Sequence, residues 1–391
     1  MNRHVLYTIP ASCYSGKARA YLRKHWVDYE ERAFGDPRYA QEIVPEIGRV
    51  IIPVLQTPDG EVIQDTVDII DHFERDVPPE RSAYPQTPLH RVVAHVLEMF
   101  GGEGLGRPLM HYRWNFDEYN LAFIREEFST GLGAGMDPEQ RAAIFEWASG
   151  AMRKLTVDVG VTPETIPLVE QSYQQFLELM NAHVSDSPYL LGGRPTIADY
   201  AFMAPLFAHL SRDPYPSLLM KRTAPRVWRW VERMNSPVQD AGEYLGYPET
   251  LFDGDDIPPT LGSLLSYIGE EFVPEMLAQV DHIDGWLAEH DEIQEGDVIP
   301  YAAEDRFVAQ VPVRWRGTEI SCGVLPYRML LLQRLQDAHG ALGLDSQERA
   351  RDLLREHGLE QLLDARPRRR VIRENNREAW GAAQSPLLAT V

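Results

Sequence analysis

The chain has 391 residues and carries a net charge of −21, from 38 basic and 59 acidic side chains. That length exceeds one ordinary domain and suits two or three, while 44% hydrophobic and 25% charged residues are usual for a soluble globular protein. The acidic balance argues against nucleic acid or an anionic membrane as a partner. In chain order, the pattern predicts a strand over His4–Ile9, a small-residue turn Pro10-Ala11-Ser12-Cys13-Tyr14-Ser15, and a helix over Gly16–Trp26. A second extended stretch, Asp28–Phe34, precedes a loop. Then come Val50-Ile51-Ile52-Pro53-Val54-Leu55, a turn at Pro58-Asp59-Gly60, and Glu61-Val62-Ile63. Gln64-Asp65-Thr66 opens a helix running to about Arg75, and Val77-Pro78-Pro79 reads as a linker.

The next stretch, about 86–245, is expected to be wholly helical. Leu89–Phe100 places Val92, Val93, Val96, Leu97 and Phe100 on one helical face. Further helices are expected over Asn120–Phe128, Pro138–Leu155, Leu168–Val184, Thr196–Leu210 and Ala224–Met234. Thr196 and Asp199 have capping-box spacing, a device for folding rather than chemistry. Beyond the acidic, proline-rich Phe252–Pro259 lies an extension over 250–391. There the pattern gives a helix over Thr260–Glu289, a hairpin over Arg306–Ser321 turning at Arg316-Gly317, and amphipathic helices over Tyr327–Leu342 and Asp345–Leu363. The basic run Arg366–Arg370 and the acidic group Glu270, Glu271, Asp281 and Asp284 read as solvated faces.

Two cysteines, Cys13 and Cys322, cannot build a disulfide framework for a chain of this size, which points to a reducing compartment. Lys17, Arg19 and Arg23 follow the first strand at once, so neither a signal segment nor a membrane span is expected there. No uncharged run reaches the roughly 18 residues of a spanning helix. The expectation is a cytoplasmic protein with neither nucleic-acid nor membrane partners. The histidines are scattered, and neither a Cys-x-x-Cys pair nor a His-Glu-x-x-His helix occurs, so no metal site is expected.

The order of elements in 1–77, with its Ile52-Pro53-Val54 run and its Asp65-Thr66 pair before a helix, resembles the thioredoxin-like half of the glutathione transferases. Tyr189-Leu190-Leu191-Gly192-Gly193, the Thr196–Asp199 box and Pro225–Trp230 resemble that family's all-helical second domain. The resemblance covers roughly 4–240. It implies an α+β thioredoxin-like glutathione-binding domain over 1–77, an all-helical domain over 86–245, and a mostly helical extension with a hairpin over 250–391. It also implies a glutathione-dependent enzyme, with glutathione as co-substrate, a small apolar electrophile as second partner, and a homodimer.

Glutathione chemistry needs a thiolate, while an unperturbed thiol has a pKa of about 8.5. A hydroxyl donor at the positive end of a helix lowers it. Three residues compete for that work. Ser12 matches the position from which serine-type relatives act. Cys13 could form a mixed disulfide, but stands one residue out of register. Tyr7, late in the first strand, matches the tyrosine-type relatives. The bland alternative has Ser12 as a helix cap and Tyr7 as core. For binding, the resemblance implies a cis Pro53, a backbone pairing at Ile52, and a γ-glutamyl contact through Asp65 and Thr66. The basic residue that many relatives keep two positions before the proline is here Ile51, so Arg49, or Arg38, is the substitute for holding the glycyl carboxylate. Two rival functions stay open: a non-catalytic binding or assembly module, and a thiol-disulfide oxidoreductase acting through Cys13.

Overall fold

The computed structural model describes residues 3–300 and 307–387. Its first unit runs β1 (His4–Thr8), α1 (Cys13–Lys24), β2 (Tyr29–Ala33), a π-helical turn (Tyr39–Ile43) leading into the short α2 (Val44–Ile47), β3 (Val54–Gln56), β4 (Val62–Gln64) and α3 (Thr66–Glu74). The sheet order is β2-β1-β3-β4, with β1 and β2 parallel and the other pairs antiparallel. A parallel pair needs a crossover, and α1 provides it. Alternation along β1 sorts its side chains: Leu6 enters the main core, while Val5 and Tyr7 join a smaller cluster with Tyr39, Ile43, Ile47 and Val54. The segment 39–47, expected as loop, is helical.

The second unit is all-helical: α4 (Pro88–Glu103), α5 (Gly106–Trp114), α6 (Asp117–Gly131), α7 (Pro138–Asp158), α8 (Ile166–Asp186), α9 (Ile197–Pro205), α10 (Pro214–Thr223) and α11 (Pro225–Asn235). Past Pro205, which has no N–H to continue the ladder, the chain widens into a π-helical turn over Leu206–Leu210. The Asp199 carboxylate accepts the backbone N–H groups of Leu190 and Thr196, both at 2.9 Å, and Trp230 Nε1 at 3.3 Å. The expected box is therefore present, and it also ties α9 to the preceding loop and to α11. Gly16 lets α1 press against α9; an added Cβ there would fall 2.5 Å from the Met203 carbonyl oxygen.

The extension folds onto both units. It comprises α12 (Pro259–Ala288), the hairpin β5 (Ala309–Trp315) and β6 (Thr318–Val324), α13 (Tyr327–Gly340), α14 (Leu344–Glu356), a 3₁₀ turn (Glu360–Leu363), and a second hairpin, β7 (Arg369–Glu374) and β8 (Arg377–Ala383). Arg306, taken as the start of the first hairpin, lies outside the described residues. The second hairpin was not expected. Its turn residues Asn375 and Asn376 have φ of 48° and 62°, the left-handed region that asparagine tolerates. Gly358, with φ of 71°, separates α14 from the 3₁₀ turn, so Asp345–Leu363 is not one helix.

Two solvated faces assigned from the sequence are corrected in part, since Glu270 is exposed as expected. Arg368 pairs with the buried Asp284 at 3.0 Å, Arg369 donates to the Ile293 and Gly381 carbonyls, and Arg370 pairs with Asp337. The basic run is thus the lacing of the second hairpin. Glu271 is buried as well, accepting from Ser172 at 2.8 Å, Trp315 Nε1 at 2.8 Å and Arg316 Nε at 2.5 Å. Helix α4 lies at the centre of the molecule, buried at every position from Val92 to Phe100, with α9 against it together with α13 and α14.

Candidate functional site

The site begins at the turn between β1 and α1. Ser12 is the N-cap residue of α1 in extended geometry, but its side chain does not cap the helix. Instead Ser15 Oγ donates to Ser12 Oγ at 2.8 Å. The approach to this turn is fixed from below by Arg113 of α5. Its Nη1 donates to the Ala11 carbonyl at 3.0 Å, while Nε and Nη2 grip the buried Asp213 carboxylate at 2.7 and 2.8 Å. Such a two-pronged, buried contact is strong and directional. The aromatic and basic stretch Arg107–Trp114 is buried packing: Arg107 pairs with Glu275 at 2.8 Å and His111 Nε2 contacts Glu170 at 3.1 Å.

Cys13 is the first residue of α1, half-buried, and its side chain packs against the main apolar core. Tyr7 lies in the smaller cluster between the sheet and α2. Its hydroxyl is buried with no hydrogen-bond partner among the described residues, and burial pushes the phenol above its ordinary pKa. Its enclosure in that cluster, rather than its acidity, opposes a phenol that reaches a bound thiol. Cys322, the other thiol, is buried beside Arg107, and burial raises it to about 12.

The second candidate segment is the one before β3. The Ile52-Pro53 peptide is cis. Tyr39 fixes the residue before it: the phenol donates to the Ile51 carbonyl at 2.5 Å and accepts the Ile51 N–H at 2.9 Å. The β1–β3 ladder starts at Val54, so Ile52 precedes it. Neither Tyr39 nor Arg113 was singled out for a role at the site. Arg113 lies within the aromatic and basic stretch Arg107–Trp114, while no local pattern marks Tyr39.

The third candidate segment is Asp65-Thr66 at the start of α3. Asp65 has φ of 88°, rare for a residue with a side chain, and its carboxylate caps the helix through Val67 N–H at 2.8 Å. Thr66 is buried. The extension reaches this segment. Tyr327 Oη donates to Asp65 Oδ1 at 3.0 Å, Arg373 Nε donates to Asp68 at 3.0 Å, and Asn376 Oδ1 accepts the Gln64 N–H at 2.9 Å. Burial outweighs Arg373 at Asp68 and raises its carboxyl to about 6. Arg49, the substitute for the missing basic residue, is turned elsewhere: it bonds Glu378 at 2.9 Å, Gln64 Oε1 at 2.5 Å and the Asn376 carbonyl at 3.0 Å. Arg38 bonds Asp36 at 3.0 Å. Among the described residues no three His, Cys, Asp or Glu side chains are grouped to hold a metal, and no helix is long and apolar enough to cross a membrane.

Comparison with known proteins fits this architecture. Residues 6–81 match the family model of the glutathione S-transferase N-terminal domain, and residues 163–233 match that of the glutathione S-transferase C-terminal domain. The chain thus carries an N-terminal and a C-terminal domain of the glutathione S-transferase family. No curated protein matches it. Among solved transferase-fold structures it is similar to the beta-etherase LigF from Sphingobium sp. strain SYK-6, at 19% identity and a TM-score of 0.41, over 62% of this chain and 98% of that one. A glutathione transferase from Phanerochaete chrysosporium is similar at 15% identity and a TM-score of 0.42, over 60% and 97% of the two chains. A glutathione S-transferase from Methylobacterium radiotolerans, solved with glutathione sulfonate, is similar at 17% and 0.35, over 64% and 98%.

Proposed function

We propose that this protein binds glutathione between the α1 turn, the Ile52-Pro53 segment and Asp65-Thr66, and adds its thiolate to a small apolar electrophile. The observation that carries the reading is the Ser15-to-Ser12 hydrogen bond at the N-terminus of α1. Because Ser12 Oγ accepts from Ser15, its own proton is left to donate elsewhere, and a bound sulfur would be its acceptor. The sulfur would lie where the N-terminal end of the helix also favours negative charge. Each pKa unit by which the bound thiol falls corresponds to about 1.4 kcal/mol of thiolate stabilisation. The sulfur lone pair then forms the S–C bond, and either a leaving group departs with its electron pair or the electrophile takes up a proton.

Ile52 would pair its backbone with the cysteinyl part, with Pro53 shaping that turn, while Asp65 and Thr66 would take the γ-glutamyl end. The packing of Cys13 against the core favours Ser12 over Cys13 as the acting group, and Tyr7 faces another cluster. The reading takes 1–77 as the glutathione-binding domain, 86–245 as the helical domain and 250–391 as the extension. A homodimer, part of the same reading, would pair through surfaces other than α4.

Conjugation of glutathione to a chloronitroaryl electrophile tests the reading. Ser12→Ala is expected to lower kcat/KM by about 100-fold or more and to raise the pH at which the bound thiol ionises, seen as thiolate absorbance. Cys13→Ser is expected to keep activity. Loss in Cys13→Ser alone would instead establish the oxidoreductase. A second reading, a non-catalytic binding module, is favoured by Arg49 being held by Glu378 and Gln64. Wild-type protein that binds glutathione yet conjugates nothing would establish it.

A further inference from the structure

We infer that Tyr327, in the C-terminal extension, is a positioning residue for the γ-glutamyl ammonium of glutathione, acting through Asp65; this rests on the glutathione site proposed above. Tyr327 stands at the start of α13, largely buried, 262 positions along the chain from Asp65. Its phenol and the Val67 N–H both donate to the same carboxylate oxygen, Oδ1, at 3.0 and 2.8 Å. Two donors on one oxygen fix the plane of the carboxylate and leave Oδ2 as the acceptor for an incoming N–H. A carboxylate held by the helix N–H alone keeps freedom about its terminal torsion.

The surroundings of Asp65 are arranged to hold this geometry. Its backbone is in a strained region at φ 88°, a conformation that persists only where neighbours over-determine it. On one side, Asn376 accepts the N–H of the adjacent Gln64 at 2.9 Å and Arg373 donates to the Gln64 carbonyl at 2.9 Å. On the other, Arg373 anchors Asp68. Tyr327 itself cannot drift, because the next residue, Arg328, is buried between Glu103 and Glu275, and Arg334 on the same helix pairs with Asp71 at 2.8 Å. The charges suit an ammonium ligand. Asp65, Asp68 and Glu378 set three carboxylates against the guanidiniums of Arg49 and Arg373, leaving one negative charge unmatched. The extension thereby supplies in the same chain an element of the site that the two transferase domains do not contain.

The test is calorimetric titration of the full-length wild type, Tyr327→Phe, Asp65→Asn and the double variant. The probes are glutathione and glutaryl-Cys-Gly, which lacks only the γ-glutamyl amine. Tyr327→Phe removes one oxygen from the side chain, and thermal melts establish that each variant is folded. The expected result is at least a tenfold rise in the glutathione Kd for Tyr327→Phe, with little change for glutaryl-Cys-Gly. The double variant should bind glutathione no worse than Asp65→Asn, because Tyr327 acts through that carboxylate. Unchanged glutathione affinity in Tyr327→Phe overturns the inference, as does equal weakening toward both probes, while wild-type binding leaves the site reading standing. If Tyr327→Phe does not fold, Tyr327→His takes its place, keeping a ring donor; weakening toward both probes alike again overturns the inference. Wild type that binds neither probe overturns the site reading itself and this inference with it.

Discussion

One hydroxyl, that of Tyr39, both donates to and accepts from the backbone of Ile51, at 2.5 and 2.9 Å. It sets the segment just before the cis Ile52-Pro53 peptide from a helical turn that the sheet does not contain. Tyr39→Phe leaves the Ile51 N–H and carbonyl without that partner, a loss of about 1–3 kcal/mol. Denaturant unfolding should report that drop, and glutathione affinity should fall with it. An unchanged midpoint together with unchanged affinity would show that the clasp positions nothing.

Arg113→Lys isolates the floor of the α1 turn. Lysine keeps the charge but cannot grip Asp213 with two nitrogens while also reaching the Ala11 carbonyl. Conjugation should lose kcat more than it raises KM, because the hydroxyl of Ser12 is displaced while the binding segments remain. A change confined to KM would count against this assignment.

Acid should loosen the junction between the helical domain and the extension. Burial pushes the Glu275 carboxyl up, but Arg328 and Arg107 outweigh it and hold it at about 2, below its ordinary 4.5. A carboxyl depressed in the folded state stabilises above its unfolded pKa and loses that contribution as pH falls through the folded one. Unfolding free energy should therefore decline from about pH 4.5 toward pH 2. Glu275→Gln should be less stable at neutral pH and show a shallower decline over that window. An identical slope in the variant would place the acid sensitivity elsewhere.

Asp199→Ala removes the common acceptor of the Leu190 and Thr196 N–H groups and Trp230 Nε1. Buried donors left unmatched cost about 1–3 kcal/mol each, so a loss of about 3 kcal/mol or more is expected in chemical unfolding. Residual activity per folded molecule should stay near that of the wild type, since the box is remote in role from Ser12.

The first domain was legible because its signals are local. The apolar run in 4–9, a small-residue turn, the Ile-Pro-Val run and the Asp65-Thr66 helix start each lie within a few residues, and the expected helices of the second domain recur with shifted ends. The short helices α5 and α10 and the helical segment 39–47 leave no such signal, because neither period is carried for long enough there. What escaped entirely are contacts between distant parts of the chain. Arg49 and Glu378 are 329 positions apart, and Arg368 and Asp284 are 84 apart. No window around either member shows its partner, so both arginines read as solvent-facing or ligand-facing. The second hairpin did leave a trace, in the Asn375-Asn376 turn.

Helix α4 gives the extension a meaning beyond the site. An ordinary surface helix keeps one polar face, whereas α4 is enclosed from Val92 to Phe100, with Glu98 buried against Lys17 at 2.7 Å. Part of that enclosure is α13 and α14. A chain cut after the helical domain would bare an apolar face at its own centre and strand the charges that Arg328 and Arg334 now neutralise. The last third of this protein is therefore not cargo on a self-sufficient pair of domains but part of their keel, and a form cut after the helical domain would founder before its chemistry could be asked about.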